Sequence, residues 1–133
     1  MSELFYWHAA TPNPREIETD VCIYGGNAAG VVTALQLARE GKKSVIVEPN
    51  AHLGGLSSGG LSCTDFGSKR AIGGISLEFY QAMGRHYGED AEWNFEPKVA
   101  EAQFDVWLKE AAPKPIFVNS WRPWKWMERV SAA

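Results

Sequence analysis

The stretch Val21-Cys22-Ile23-Tyr24-Gly25-Gly26-Asn27-Ala28-Ala29-Gly30 passes from a short apolar run, through a glycine turn, into small residues that open a helical pattern. Val21 to Tyr24 reads as a buried parallel strand, because such strands carry continuous apolar runs and not an alternation. Over residues 28–40 the apolar side chains Val31, Ala34, Leu35 and Ala38 recur at helical spacing, and Gly41 supplies a stop. Ser44-Val45-Ile46-Val47 is a second β-branched run, closed by Glu48 and Pro49. Strand, helix and strand in about 28 residues make a βαβ unit, which predicts a parallel sheet.

The turn sits where backbone N–H groups and a helix dipole can hold a pyrophosphate. Gly25 is expected to allow the tight turn, and Gly30 to let the helix approach the strand, since a Cβ would collide at either place. Asn27 stands where the usual fingerprint has its middle glycine. Its tendency toward the left-handed conformation would let it follow the same path; the alternative is a weakened phosphate site. A glycine turn alone is often only a turn. Glu48 adds weight, for it lies 23 positions after Gly25 at the end of the second strand, where an acid accepts hydrogen bonds from ribose hydroxyls and repels a 2′-phosphate.

Beyond Glu48, glycine pairs at 54-55, 59-60 and 73-74 resist any periodic assignment and predict an extended loop. The run Glu48-Pro49-Asn50-Ala51-His52-Leu53-Gly54-Gly55-Leu56-Ser57-Ser58-Gly59-Gly60-Leu61 resembles the segment after the ribose acid in FAD-dependent oxidoreductases of the glutathione-reductase type. More narrowly, residues 20–112 resemble bacterial FAD-dependent oxidoreductases labelled xanthan-lyase-like. The resemblance implies FAD as cofactor, with Gly25, Gly26, Asn27, Ala28, Ala29 and Gly30 at the pyrophosphate and Glu48 at the ribose. It places Gly54, Gly55 and Leu56 along the pyrophosphate and ribityl chain, with Ser57, Ser58, Gly59 and Gly60 toward the flavin ring. His52, just before Leu53-Gly54-Gly55, joins this set, and Val118 is expected to make a backbone contact near the adenine. An NAD-binding dehydrogenase domain uses the same turn and acid but has no need of the glycine loop, so the loop favours FAD.

The rest of the chain bounds these readings. Its 133 residues are 45% hydrophobic and 22% charged, a profile that fits one globular core. Thirteen Lys and Arg are scattered among 16 Asp and Glu without a basic stripe, which argues against nucleic acid as a partner. No apolar run approaches the roughly 20 residues that span a bilayer, and the first residues lack a basic region before an apolar core, so a cytoplasmic location is expected. Cys22 and Cys63 are far apart and read as unpaired thiols. His8 and His86 are isolated in sequence, and no metal site is expected.

Ile75, Phe79 and Met83 mark one helix face, and Pro97 opens another helix with a stripe of Ala100, Phe104, Trp107, Leu108 and Ala111; both faces are expected to cover a sheet. Pro115-Ile116-Phe117-Val118 reads as a third strand. The expected organisation is an extended lead-in over residues 1–19, a partial FAD-binding Rossmann-like α/β domain over 20–120, and an irregular tail over 121–133 that holds Trp121, Trp124 and Trp126. Members of the resembled family continue well past this length, so truncation or a change of reading frame is expected at the tail. A non-catalytic module that associates through its tail and an uncovered sheet edge is the remaining alternative.

Overall fold

A computed structural model describes residues 16–61, 63–65, 67–111, 114–117 and 129–132. Strand β1 (Glu16–Thr19) leads into β2 (Val21–Tyr24), helix α1 (Ala28–Arg39) and β3 (Ser44–Glu48). After a loop with short 3₁₀ turns at Gly55–Ser57 and Lys69–Ala71 come α2 (Gly74–Tyr87), α3 (Pro97–Ala111), β4 (Lys114–Phe117) and β5 (Arg129–Ala132).

The apolar runs form a three-stranded sheet in the order β2-β3-β4, parallel throughout. Val21 lies opposite Ser44 and Tyr24 opposite Val47, while Glu48 is opposite Phe117. Thus the C-terminal ends of all three strands point to one edge, and the β2–α1 turn and the loop after β3 emerge there. At the other end, the Thr19 hydroxyl donates to the Lys43 carbonyl at 2.9 Å and the Lys43 N–H donates to Asp20 Oδ2 at 2.7 Å, tying β2 to the start of β3.

Helix α1 starts and stops for local reasons. Asn27 caps its N-terminus. At its C-terminus Gly41 takes φ +70°, with Gly41 N–H on the Ala38 carbonyl and Lys42 N–H on the Leu37 carbonyl, the Schellman arrangement. Val31, Ala34 and Leu35 on its buried side pack with Ile46 of the sheet and with α3.

The cover of α2 and α3 differs from the sequence expectation. The main neighbour of α3 is α1, and α2 packs on α3, so helix packs on helix where a sheet was expected. Aromatic interlock accounts for this: Phe79 of α2 stacks on Phe104 of α3 with ring centroids 5.0 Å apart, and Phe95 meets Phe79 edge-on at 5.4 Å.

The two described end segments pair with each other. Residues 16–19, expected as lead-in, and residues 129–132, expected as irregular tail, pair as parallel strands with Glu16 opposite Arg129 and Thr19 opposite Ala132. Backbone pairing between segments so distant leaves no local periodic trace in either one. Residues 1–15, Val118, Trp121, Trp124 and Trp126 lie outside the described residues. No described helix is long and apolar enough to cross a membrane, and no described group of three His, Cys, Asp or Glu residues could hold a metal.

Candidate functional site

The turn between β2 and α1 is built almost wholly from backbone. Gly25 has φ +102°, a conformation that disfavours a side chain, and its N–H continues the ladder to the Val47 carbonyl at 2.8 Å. Gly30 is the close-approach position expected from the sequence, since a Cβ there would fall on the Gly25 carbonyl oxygen and press on Ile23.

Asn27 works differently from expectation. Its backbone is extended, at φ −69° and ψ 178°, and not left-handed. It is the N-cap of α1, and Oδ1 accepts the Gly30 N–H at 3.0 Å. Asparagine is accepted here because its short side chain meets one of the orphan donors of the first turn, which a glycine would leave open. The N–H of Ala29, on an exposed residue of that same turn, has no partner among the described residues.

Glu48 ends β3 with only 5% of its surface exposed. Its Oε2 accepts the Gly26 N–H at 2.5 Å, and Oε1 accepts both the N–H of Asn50 at 2.7 Å and its Nδ2 at 2.8 Å. Three donors stabilise a carboxylate that would otherwise be costly to bury.

The glycine loop returns to the turn. The Gly54 N–H donates to the Gly26 carbonyl at 2.7 Å, and Gly54 forms a parallel bridge with Asn27. Leu53 is buried and anchors the loop against Gly26, where a Cβ would strike it. Gly54, at φ +96°, lies on the Phe104 ring, and a Cβ on Gly55 would come within 2.9 Å of Asn27 Cβ. The Ser58 hydroxyl donates to the Leu53 carbonyl and closes the loop on itself.

Two depressions flank this loop. A cleft of about 630 Å³ is lined by Asn50, His52, Gly55, Ser58, Gly59, Gly60, Pro97 and Glu101. A second, of about 410 Å³ and mostly apolar, lies beside the first turn of α1 between Ala28, Ala29, Ser57, Phe79, Tyr80 and Phe104. The structure therefore brings Gly25, Gly26, Asn27, Ala28, Ala29, Gly30, Glu48, Gly54 and Gly55 together, with His52 on the wall of the larger cleft and Ser57 on the smaller. Leu56 projects outward, 74% exposed, and lines neither. Val118 lies outside the described residues.

Asn50 and Glu101 were not singled out from the sequence. Asn50 carries a faint signal, since a residue two places after a strand-end acid can return its N–H to that acid. Glu101 carries none; it meets His52 Nδ1 through Oε1 at 2.8 Å across 49 positions of sequence.

The donors and the buried acid fit a diphosphate nucleotide, and the cramped glycines let turn and loop pack together beside them, since a Cβ at Gly26, Gly54 or Gly55 would strike Leu53, Phe104 or Asn27. Comparison with known proteins agrees. The family model described as FAD dependent oxidoreductase matches residues 20–129. THI4 of Thermovibrio ammonificans is similar in structure, with a TM-score of 0.52 and 22% identity over 75% of this chain and 38% of that one. L-Proline dehydrogenase from P. horikoshii is similar with a TM-score of 0.51 and 14% identity over 80% of this chain and 45% of that one. At such identities the likeness shows the Rossmann-like fold, and this chain spans less than half the length of either protein. No curated protein matches the sequence.

Proposed function

We propose, since this chain belongs to the FAD dependent oxidoreductase family and FAD is its cofactor, that the joined glycine segments hold the diphosphate and the adenosine-side ribose of FAD. The observation that carries this reading is the bond from Gly54 N–H to the Gly26 carbonyl, which merges turn and loop into one backbone surface beside Glu48. A NAD domain needs the turn and the acid but not that loop.

Each residue then has a task. Gly25, Gly26 and Gly30 keep the backbone close to the pyrophosphate. Asn27 holds the start of α1 rigid while the first-turn N–H groups of Ala28 and Ala29 face the anion, where the helix dipole favours negative charge. Glu48 accepts from the ribose. His52, Gly54 and Gly55 follow the diphosphate along the larger cleft, and Leu56 and Ser57 lead toward the ribityl chain. The assignment of Val118 to the adenine rests on the family resemblance alone.

When bound, FAD supplies a ring that accepts hydride or electrons; these residues bind and orient the nucleotide and exclude water from its diphosphate. The activity we assign to the whole protein is flavin-mediated oxidation or reduction of a small molecule. Association through an open sheet edge is a second reading, favoured by β4, which has one strand neighbour among the described residues. The purified chain tests the first. A yellow protein that releases FAD on heating is expected; a colourless one that cannot be reconstituted with FAD would overturn it.

A further inference from the structure

A buried carboxylate offers about four lone-pair positions on its two oxygens. In Glu48 three are taken: Oε2 by the Gly26 N–H, and Oε1 by the backbone N–H and the Nδ2 of Asn50. One position remains, on Oε2. A ribose presents two neighbouring hydroxyls, and a carboxylate that grips both needs two open positions. The Gly26 and Asn50 N–H groups are fixed by the chain path. The Asn50 carboxamide is not: it hangs on rotatable bonds from an exposed residue that lines the larger cleft with His52 and Glu101.

We infer that the Asn50 carboxamide is a latch on the ribose position, seated on Glu48 Oε1 in the nucleotide-free chain and displaced by a ribose hydroxyl when FAD enters; this rests on the FAD reading above. The physical reason for a latch is the cost of an under-donated charge at this depth. In the free chain the side-chain amide keeps the second donor on Oε1. In the bound chain the hydroxyl takes its place, so Glu48 never gives up a donor without gaining another. The exchange also makes binding depend on the diol, because only a hydroxyl repays Oε1 for the amide it loses.

Calorimetric titration of the wild-type chain and Asn50→Ala with FAD, ADP and 2′,3′-dideoxy-ADP tests this. Without the amide to displace, Asn50→Ala is expected to bind FAD and ADP about threefold to tenfold more tightly, with the dideoxy nucleotide gaining nothing. In the wild-type chain the side-chain NH₂ resonances of Asn50 are expected to move on addition of ADP, a measurement that needs no folded variant. Equal or weaker ADP binding by Asn50→Ala, an equal gain for the dideoxy nucleotide, or Asn50 resonances that stay fixed while ADP binds would each overturn the latch and leave FAD binding intact. Failure of the folded wild-type chain to bind either FAD or ADP would instead remove the FAD reading and the latch with it.

Discussion

The N–H of Gly54 meets the carbonyl of Gly26 at 2.7 Å, so two glycine segments about 28 positions apart share one hydrogen-bonded surface. Gly54 has φ +96°, and its missing Cβ would come within 2.5 Å of the Phe104 ring. Gly54→Ala is therefore expected to cost about 2 kcal/mol or more, from backbone strain and from displacement of a core ring, and to weaken FAD binding with it. Gly60→Ala is the comparison: at φ +120° with open space around it, it carries strain but no collision. Urea midpoints of the two variants read the difference, and equal midpoints would show that the Phe104 contact is immaterial.

Gly30 gives a sharper test, because helix propensity and packing predict opposite signs. Alanine inside a helix is favoured over glycine by about 1 kcal/mol. At Gly30, however, its Cβ would land on the Gly25 carbonyl oxygen. Gly30→Ala should destabilise the chain, and Gly30→Val should also abolish FAD binding by forcing α1 away from β2. A stabilised Gly30→Ala, or unchanged FAD affinity in Gly30→Val, would refute the position assigned to the diphosphate.

What was legible in the sequence follows the range of the forces involved. The bounds of β2, α1 and β3 rest on apolar runs and glycine stops, and these local signals place them within a residue or so. Asn27 was identified at the correct position with the wrong conformation, because an asparagine in a glycine turn is as consistent with an N-cap as with a left-handed residue. Trp93 and Phe95 are buried, yet they lie in the non-periodic segment between α2 and α3 and gave no core signal. The β1–β5 pair and the His52–Glu101 contact depend on segments brought together by the whole fold, and no local pattern encodes either.

Arg39 and Glu78 join α1 to α2 by a bidentate pair, with N···O distances of 3.0 and 2.7 Å. The hydrogen bond from Arg39 holds the Glu78 carboxyl below its ordinary range. A carboxyl depressed in the folded state stabilises fully above its unfolded value near 4.5 and loses that contribution as pH falls through the lower folded value. Arg39→Met should therefore reduce stability at neutral pH and remove part of the decline between pH 5 and the folded value. The side chains are 37% and 43% exposed, so the effect is expected to be small and screened by salt. Urea midpoints across pH, at low and high salt, measure it; a variant whose decline with acid matches the wild type would exclude the pair as a contributor.

His52 and Glu101 form another exposed contact, with side chains 77% and 31% accessible, and a hydrogen bond so placed contributes little to stability. Its consequence should lie in the cleft that both residues line. With Nδ1–H donated to Glu101 Oε1, the ring is held in one orientation and one tautomer, which leaves Nε2 free. Two effects on FAD then compete. Glu101 orients His52, which favours binding, and its charge opposes a nearby diphosphate, which disfavours it. Their signs separate in substitution: if orientation dominates, Glu101→Ala weakens FAD binding about threefold, Glu101→Gln restores it by keeping an oxygen acceptor, and neither change matters in a His52→Ala chain. If repulsion dominates, Glu101→Ala and Glu101→Gln both tighten binding, whatever stands at position 52. We expect the first outcome, because the 2.8 Å contact already commits the Glu101 charge to the imidazole; tighter binding by Glu101→Gln would reverse that assignment.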